Sequence, residues 1–209
     1  MDEVAIKKWT KMPSDATITS TVAAMQKRGF TVITVDNKAK ALQKLKQLLP
    51  AKAEVMTGSS TTLGQIGFME YYMSGKNPWK CLGPEVYNEK DPVKQKLLRR
   101  KSDTAEYFVA SVNAVAATGE LVACDRSGSR VSAYPFAADH VVLVVGVQKI
   151  MKTLDEAIKR VREYVFNLEN ERAMKAYGTP SGMGKWVIIE NEYTKDRITI
   201  ILCKESIGF

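Results

Sequence analysis

The segment Thr57–Thr62, TGSSTT, places small hydroxyl side chains between a predicted strand and a predicted helix. Gly58 can adopt a positive φ, and the lack of large side chains lets an anion approach backbone N–H groups closely. The first turn of a helix leaves such groups without intrahelical acceptors. Helix capping needs one hydroxyl, whereas this segment offers Ser59, Ser60, Thr61 and Thr62. The segment therefore predicts a cradle for a phosphate or carboxylate, with plain N-capping as the alternative.

A second group of reactive side chains follows between residues 113 and 133. Glu120 and Asp125 are candidate catalytic acid–base groups. Arg130 can bind a carboxylate or a phosphate with two parallel N–H groups. The alternative is a β-hairpin with surface charges, which the pattern alone favours. Lys149 comes after an apolar strand, so we expect it at the carboxyl edge of the sheet, where it either faces an anion or covers a helix with its aliphatic part.

The composition argues against a metal centre. The three cysteines, Cys81, Cys124 and Cys203, form no C-x-x-C pair, and His140 is the single histidine. A cysteine-ligated zinc or iron–sulfur site and a multi-histidine site are therefore not expected. We predict no bound cofactor and three reduced thiols.

The reduced thiols, the short apolar runs and the polar first residues indicate a cytoplasmic protein. The longest apolar run, His140–Val147, is far shorter than the roughly 20 residues that span a bilayer, and the first residues, MDEVAIKKW, do not form a signal peptide.

The net charge of +8 permits attraction to anions. The densest basic run, Lys94–Lys101, has no interleaved aromatic residues, so we interpret it as a solvated helix face. Nucleic-acid binding is favoured by charge alone and is kept as a second alternative.

Helical and strand-like segments alternate along the chain. This order predicts an α/β fold with a three-layer α/β/α arrangement and a mostly parallel sheet. The β-branched run His140–Val145 suits a central parallel strand, and Leu63–Met73 is predicted to form one helix. Trp186–Glu190 and Ile198–Cys203 are predicted to pair as an antiparallel edge. We expect one domain over residues 1–209, with residues 1–13 as an N-terminal extension.

Several motifs, in this order, resemble those of the lactate-utilisation (LUD) domain family. They lie at Thr57–Gly67, Gly119–Val122, Gly128–Val131 and Gln148–Met151, and the resemblance extends over about residues 16–209. The chain departs from the family pattern at Ala117, where many members have an acidic residue, and at Ser129 and Gln148, where they have asparagine. These departures favour binding over catalysis.

The resemblance implies a fold like that of glucosamine-6-phosphate deaminase, ribose-5-phosphate isomerase and the coenzyme A transferases. It implies that Thr57–Thr61 is similar to the loop that holds the sugar phosphate in those isomerases, it favours a ligand-binding role for Lys149, and it adds Gly119 to the ligand-binding residues. It further implies an accessory subunit in L-lactate oxidation, beside partner subunits that carry iron–sulfur clusters. An independent isomerase-like or coenzyme A transferase-like enzyme is the first alternative, and an oligomer is compatible with the sequence.

Overall fold

The computed structural model describes the backbone of residues 3–209 and the side chains from Ile6 onward. Met1 and Asp2, part of the predicted N-terminal extension, lie outside the described residues. The helices are α1 (Glu3–Thr10), α2 (Asp15–Lys27), α3 (Lys38–Leu48), α4 (Thr61–Gln65), α5 (Phe68–Met73), α6 (Gly83–Asn88), α7 (Pro92–Ser102), α8 (Leu154–Arg160) and α9 (Phe166–Tyr177). The strands are β1 (Thr31–Val35), β2 (Glu54–Thr57), β3 (Lys80–Cys81), β4 (Tyr107–Ala110), β5 (Ala114–Ala116), β6 (Leu121–Asp125), β7 (His140–Gly146), β8 (Ile150–Met151), β9 (Lys185–Ile189) and β10 (Ile198–Cys203).

A six-stranded parallel sheet forms the centre of the molecule, in the order β1-β10-β7-β4-β2-β3. The prediction of a central parallel strand is confirmed, because β7 lies between β10 and β4. Its side chains alternate between two apolar clusters: Val141, Leu143 and Val145 share one with α2, whereas Val142 and Val144 share the other with α3, α4 and α5. Helices thus cover both faces, and the predicted three-layer α/β/α fold is confirmed.

A second, four-stranded sheet, in the order β8-β5-β6-β9, was not predicted. Val115, Leu121 and Ala123 pack with α2 on the central sheet. The opposite face of the small sheet packs against Trp9 of α1, Ala157 of α8 and Leu168 of α9. A π-helical turn at Val161–Val165 joins α8 to α9.

The predicted antiparallel pairing of β9 with β10 is wrong. Strand β9 pairs antiparallel with β6, whereas β10 runs parallel between β1 and β7. Every residue of β10 is buried, as an inner strand covered on both faces requires, while β9 is partly exposed. The polar segment at residues 190–197 therefore crosses between the two sheets instead of forming a hairpin.

The predicted helix Leu63–Met73 is divided in two. Gly67 adopts a φ of +79° and separates α4 from α5. A left-handed residue cannot continue an α-helix, so α4 has five residues only. Within residues 3–209, no helix combines the length and the apolar character needed to cross a membrane.

Candidate functional site

A cavity of about 670 Å³ lies beyond the carboxyl ends of β2, β4 and β7. Parallel strands bring their carboxyl ends to one edge of a sheet, which is where open α/β sheets bind ligands. The residues of the predicted cradle, Gly58, Ser59, Ser60, Thr61 and Thr62, line this cavity together with Asp125, Arg130 and Lys149. Helix α9 and the π-turn Val161–Val165 contribute the opposite wall, and such turns are frequent at functional sites.

The cradle segment keeps free donors. Ser60 is the N-cap of α4, and its hydroxyl accepts a hydrogen bond of 3.3 Å from the Leu63 amide. Among the described residues, the amides of residues 59–62 donate to no acceptor. Because α4 is so short, its dipole adds little. The ability to bind an anion therefore rests on these amides and on the neighbouring hydroxyls.

Arg130 brings a guanidinium group to the cradle. A Cβ atom on Gly58 would lie 3.0 Å from Cδ of Arg130, so the arginine packs directly on the glycine. One N–H group of Arg130 donates to the Cys124 carbonyl at 2.8 Å, and its Nε lies 3.9 Å from Oδ2 of Asp125. The Tyr134 hydroxyl is a further hydrogen-bonding neighbour of the Arg130 side chain.

Asp125 organises the loop that carries Arg130. Its carboxylate accepts hydrogen bonds from the amides of Gly128, Arg130 at 3.1 Å and Val131 at 3.3 Å. This accounts for the local turn after β6. Asp125 lines the cavity, but its oxygens already bind three backbone donors, which favours a structural role over acid–base catalysis.

Lys149 is buried at the inner end of the cavity, with 2% of its surface exposed. It ends a 3-10 turn after β7, and its Nζ donates to Thr62 Oγ1 at 3.0 Å, Ser111 Oγ at 3.1 Å and the Val112 carbonyl at 3.1 Å. No carboxylate in residues 6–209 forms an ion pair with it. Burial, followed by the nearby charges of Arg160 and Arg130, lowers the pKa of Lys149 well below its usual value.

Arg160 is a second buried cation that sequence reasoning missed. Its Nε donates to the Trp9 carbonyl at 3.1 Å and its Nη1 to the Asn113 carbonyl at 2.6 Å, while its Nη2 is buried without a partner among the described residues. Burial lowers the pKa of Arg160 to about 10, so it stays charged at neutral pH. The helical spacing of the sequence could have revealed its burial, since Arg160 falls on the same helix face as the buried residues Ala157 and Tyr164.

Gly119 and Glu120 lie away from the other predicted residues and do not line the cavity. Gly119 has a φ of +101°, and a Cβ atom there would lie 2.9 Å from the Met25 amide nitrogen in α2. Glu120 pairs with Arg28, the residue that caps the C-terminus of α2, and accepts a hydrogen bond from Thr118. Both residues therefore fix the β5–β6 turn against α2.

Among the side chains of residues 6–209, no three His, Cys, Asp or Glu residues group together as a metal site would require. Cys81, Cys124 and Cys203 are free thiols. Burial and the Asp125 charge raise the pKa of Cys124 to about 11, so this cavity-lining thiol is protonated at neutral pH.

Comparisons with known proteins agree with this architecture. The chain is similar in structure to a DUF162 family protein from Deinococcus radiodurans, with a TM-score of 0.53 and 13% sequence identity. The superposition covers 91% of this chain and 99% of that chain, and at this identity it concerns the fold alone. No curated protein matches the sequence. The family model of the LUD domain matches residues 18–203, and the chain therefore belongs to the LUD domain family.

Proposed function

We propose that the protein binds a small anionic metabolite through a phosphate or carboxylate group, held between Arg130 and the segment Gly58–Thr62. One observation carries the proposal: the Arg130 side chain packs on Gly58, next to the backbone amides of residues 59–62, which have no acceptor among the described residues. Guanidinium groups and free amides together form the donor set that oxyanions require.

The electrostatic environment favours the same ligand class. Arg160 is charged at neutral pH, and Arg130 pairs with one acid among the described residues, Asp125. Charges in a partly buried site act through a lower effective dielectric than in water. An anion in the cavity would therefore offset positive charge that the protein leaves uncompensated.

Family membership suggests which anion to test first. The LUD domain family is linked to lactate utilisation, so L-lactate is the first carboxylate to test. An accessory role in lactate oxidation, beside iron–sulfur partner subunits in the cytoplasm, belongs to the same proposal. Lys149 takes an indirect part, because its hydrogen bonds fix Thr62 of the cradle.

The test is calorimetric titration of the full chain with L-lactate, inorganic phosphate, ribose 5-phosphate and coenzyme A. A hydrogen bond to a charged group contributes about 1.5–3 kcal/mol, so Arg130→Gln should weaken binding roughly 10- to 100-fold. Arg100→Gln, which changes an exposed arginine of α7, is the matched control and should bind as wild type does. Equal affinity in Arg130→Gln and wild type, or binding of none of these anions, would refute the proposal. Salt-dependent retention of RNA without binding of these anions would favour the nucleic-acid alternative.

A further inference from the structure

The partners of Lys149 allow its amino group to exist in either charge state. Two partners are hydroxyl groups, Thr62 Oγ1 and Ser111 Oγ, and the third is the Val112 carbonyl. An ammonium group donates to all three. A neutral amine donates to two of them and accepts from a hydroxyl, since a carbonyl oxygen cannot donate. Loss of the proton therefore costs no hydrogen bond when Thr62 is the donor, and when Ser111 is the donor it costs the 3.3 Å hydrogen bond from Ser111 Oγ to the Val112 carbonyl.

The surroundings of Lys149 favour the neutral amine. The group is buried, and the charged side chains that influence it are the cations Arg160 and Arg130, both of which lower its pKa. A neutral lysine beside a hydroxyl is a competent general base, as in known serine–lysine catalytic pairs.

Ser111 is the hydroxyl that is placed to react. Thr62 Oγ1 is covered by Gly208, because a Cβ atom at residue 208 would overlap that oxygen. Ser111 follows β4 directly at the carboxyl edge of the sheet and lines the cavity. Its Oγ lies 3.1 Å from Lys149 Nζ, within the reach that proton transfer requires.

We infer that Ser111 and Lys149 form a nucleophile–base pair that cleaves an activated acyl ester or thioester whose anionic part is bound in the cavity. The inference rests on the proposed function, because the proposed anion site is what positions the substrate next to Ser111. A lysine with a purely structural role does not need a partner that reaches the cavity, whereas Lys149 contacts a serine that lines a cavity with free amides on its wall.

The reaction balances with water as its one co-reactant. Lys149 takes the hydroxyl proton as Ser111 Oγ bonds to the acyl carbon, while Arg130 and the amides of residues 59–62 hold the anionic part of the substrate. The bond to the leaving alkoxide or thiolate breaks, and Lys149 returns the proton to it. Water then hydrolyses the acyl-serine, which releases a carboxylate and restores the serine hydroxyl.

The experiment uses p-nitrophenyl acetate as the probe and the full chain. Release of p-nitrophenolate gives the rate, and mass spectrometry of the intact protein and its peptides locates the acetyl group. We expect an acetyl group on Ser111, and a loss of roughly 100-fold or more in rate for both Ser111→Ala and Lys149→Arg, since arginine is not deprotonated in proteins. Ser129→Ala, at a second cavity-lining serine, is the control and should keep the wild-type rate.

Acetylation confined to surface lysines, or a wild-type rate in Ser111→Ala, would overturn the inference. Calorimetry of Ser111→Ala with phosphate separates the two proposals. Retained phosphate binding with a lost acetyl adduct supports both. Phosphate binding by a wild-type protein that is never acetylated at Ser111 overturns the nucleophile–base pair alone, and Ser111 acetylation without anion binding overturns the proposed function alone.

Discussion

The side chain of Arg130 packs against Gly58 so closely that a Cβ atom on residue 58 would lie 3.0 Å from Arg130 Cδ. The two residues come from separate parts of the fold: Gly58 follows β2, and Arg130 follows the loop that begins after β6. Their contact brings the cationic end of that loop to the free amides of the cradle.

Gly58→Ala should weaken phosphate binding several-fold. The added methyl group is closer to Arg130 than ordinary contacts allow, so the arginine must shift away from the cradle. Gly64→Ala is the control, because a Cβ atom there meets nothing within 4 Å. Calorimetric titration of both variants with phosphate measures the difference, and equal affinities would show that the Gly58 contact does not position Arg130.

Asp125→Asn should lower the free energy of unfolding by about 1–3 kcal/mol, the usual cost of leaving buried donors unpaired. Both carboxylate oxygens accept hydrogen bonds, from the amides of Gly128, Arg130 and Val131, whereas an asparagine side chain has only one acceptor oxygen. Urea titration of Asp125→Asn and of Asp139→Asn, an exposed aspartate, gives the comparison. If Asp125 were a catalytic acid with no structural role, the two variants would be equally stable.

Gly208→Ala should destabilise the protein and weaken anion binding. Gly208 has a φ of +69°, and a Cβ atom there would overlap Thr62 Oγ1 and lie 3.0 Å from Lys149 Nζ. Gly75→Ala provides a control with a φ of +70° and open space around the Cβ position. Both variants bear the backbone strain of a left-handed alanine, about 1–3 kcal/mol. A larger loss of stability in Gly208→Ala, measured by thermal unfolding, is the contribution of packing on Thr62 and Lys149.

The stability of wild type relative to Lys149→Met should rise with pH. The folded protein releases the Lys149 proton well below the ordinary pKa of 10.5, and the unfolded chain holds it up to that value. Between the two values the unfolded state binds more protons, so unfolding becomes less favourable as pH increases, by at most about 1.4 kcal/mol per pH unit. Urea titrations between pH 7 and the alkaline limit of folding measure this slope, with Lys175→Met as the reference for removing an exposed lysine. A difference that is constant with pH would show that Lys149 keeps its proton in the fold.

Part of the site was predictable because parallel strands share an edge. The segment Gly58–Thr62 follows β2 and Lys149 follows β7, so the positions of both could be inferred from strand order alone. Their roles toward a ligand stay predictions.

The placing of Glu120 could not be inferred in the same way. Glu120 and Asp125 flank β6 at opposite ends, which separates them by roughly 17 Å at about 3.4 Å per residue. The sequence does not tell which end faces the cavity, because that depends on β6 joining a second sheet. That sheet was missed since β5 and β8 have only three and two residues, too few for a periodic pattern.

Ser111 was overlooked for a different reason. A lone serine after a strand has no distinguishing pattern, and its proximity to Lys149 depends on a contact between segments 38 positions apart. Such contacts depend on tertiary packing, which local propensity does not encode.

The position of β10 has a consequence for synthesis on the ribosome. Strand β1 pairs with β10 and with no other strand of the described chain, so a nascent polypeptide carries β1 without a partner until residue 203 has emerged. Any translation product that stops earlier leaves the edges of β1 and β7 open to other chains. Interrupted translation products should accordingly aggregate or be degraded. The central sheet should be completed only at the end of synthesis.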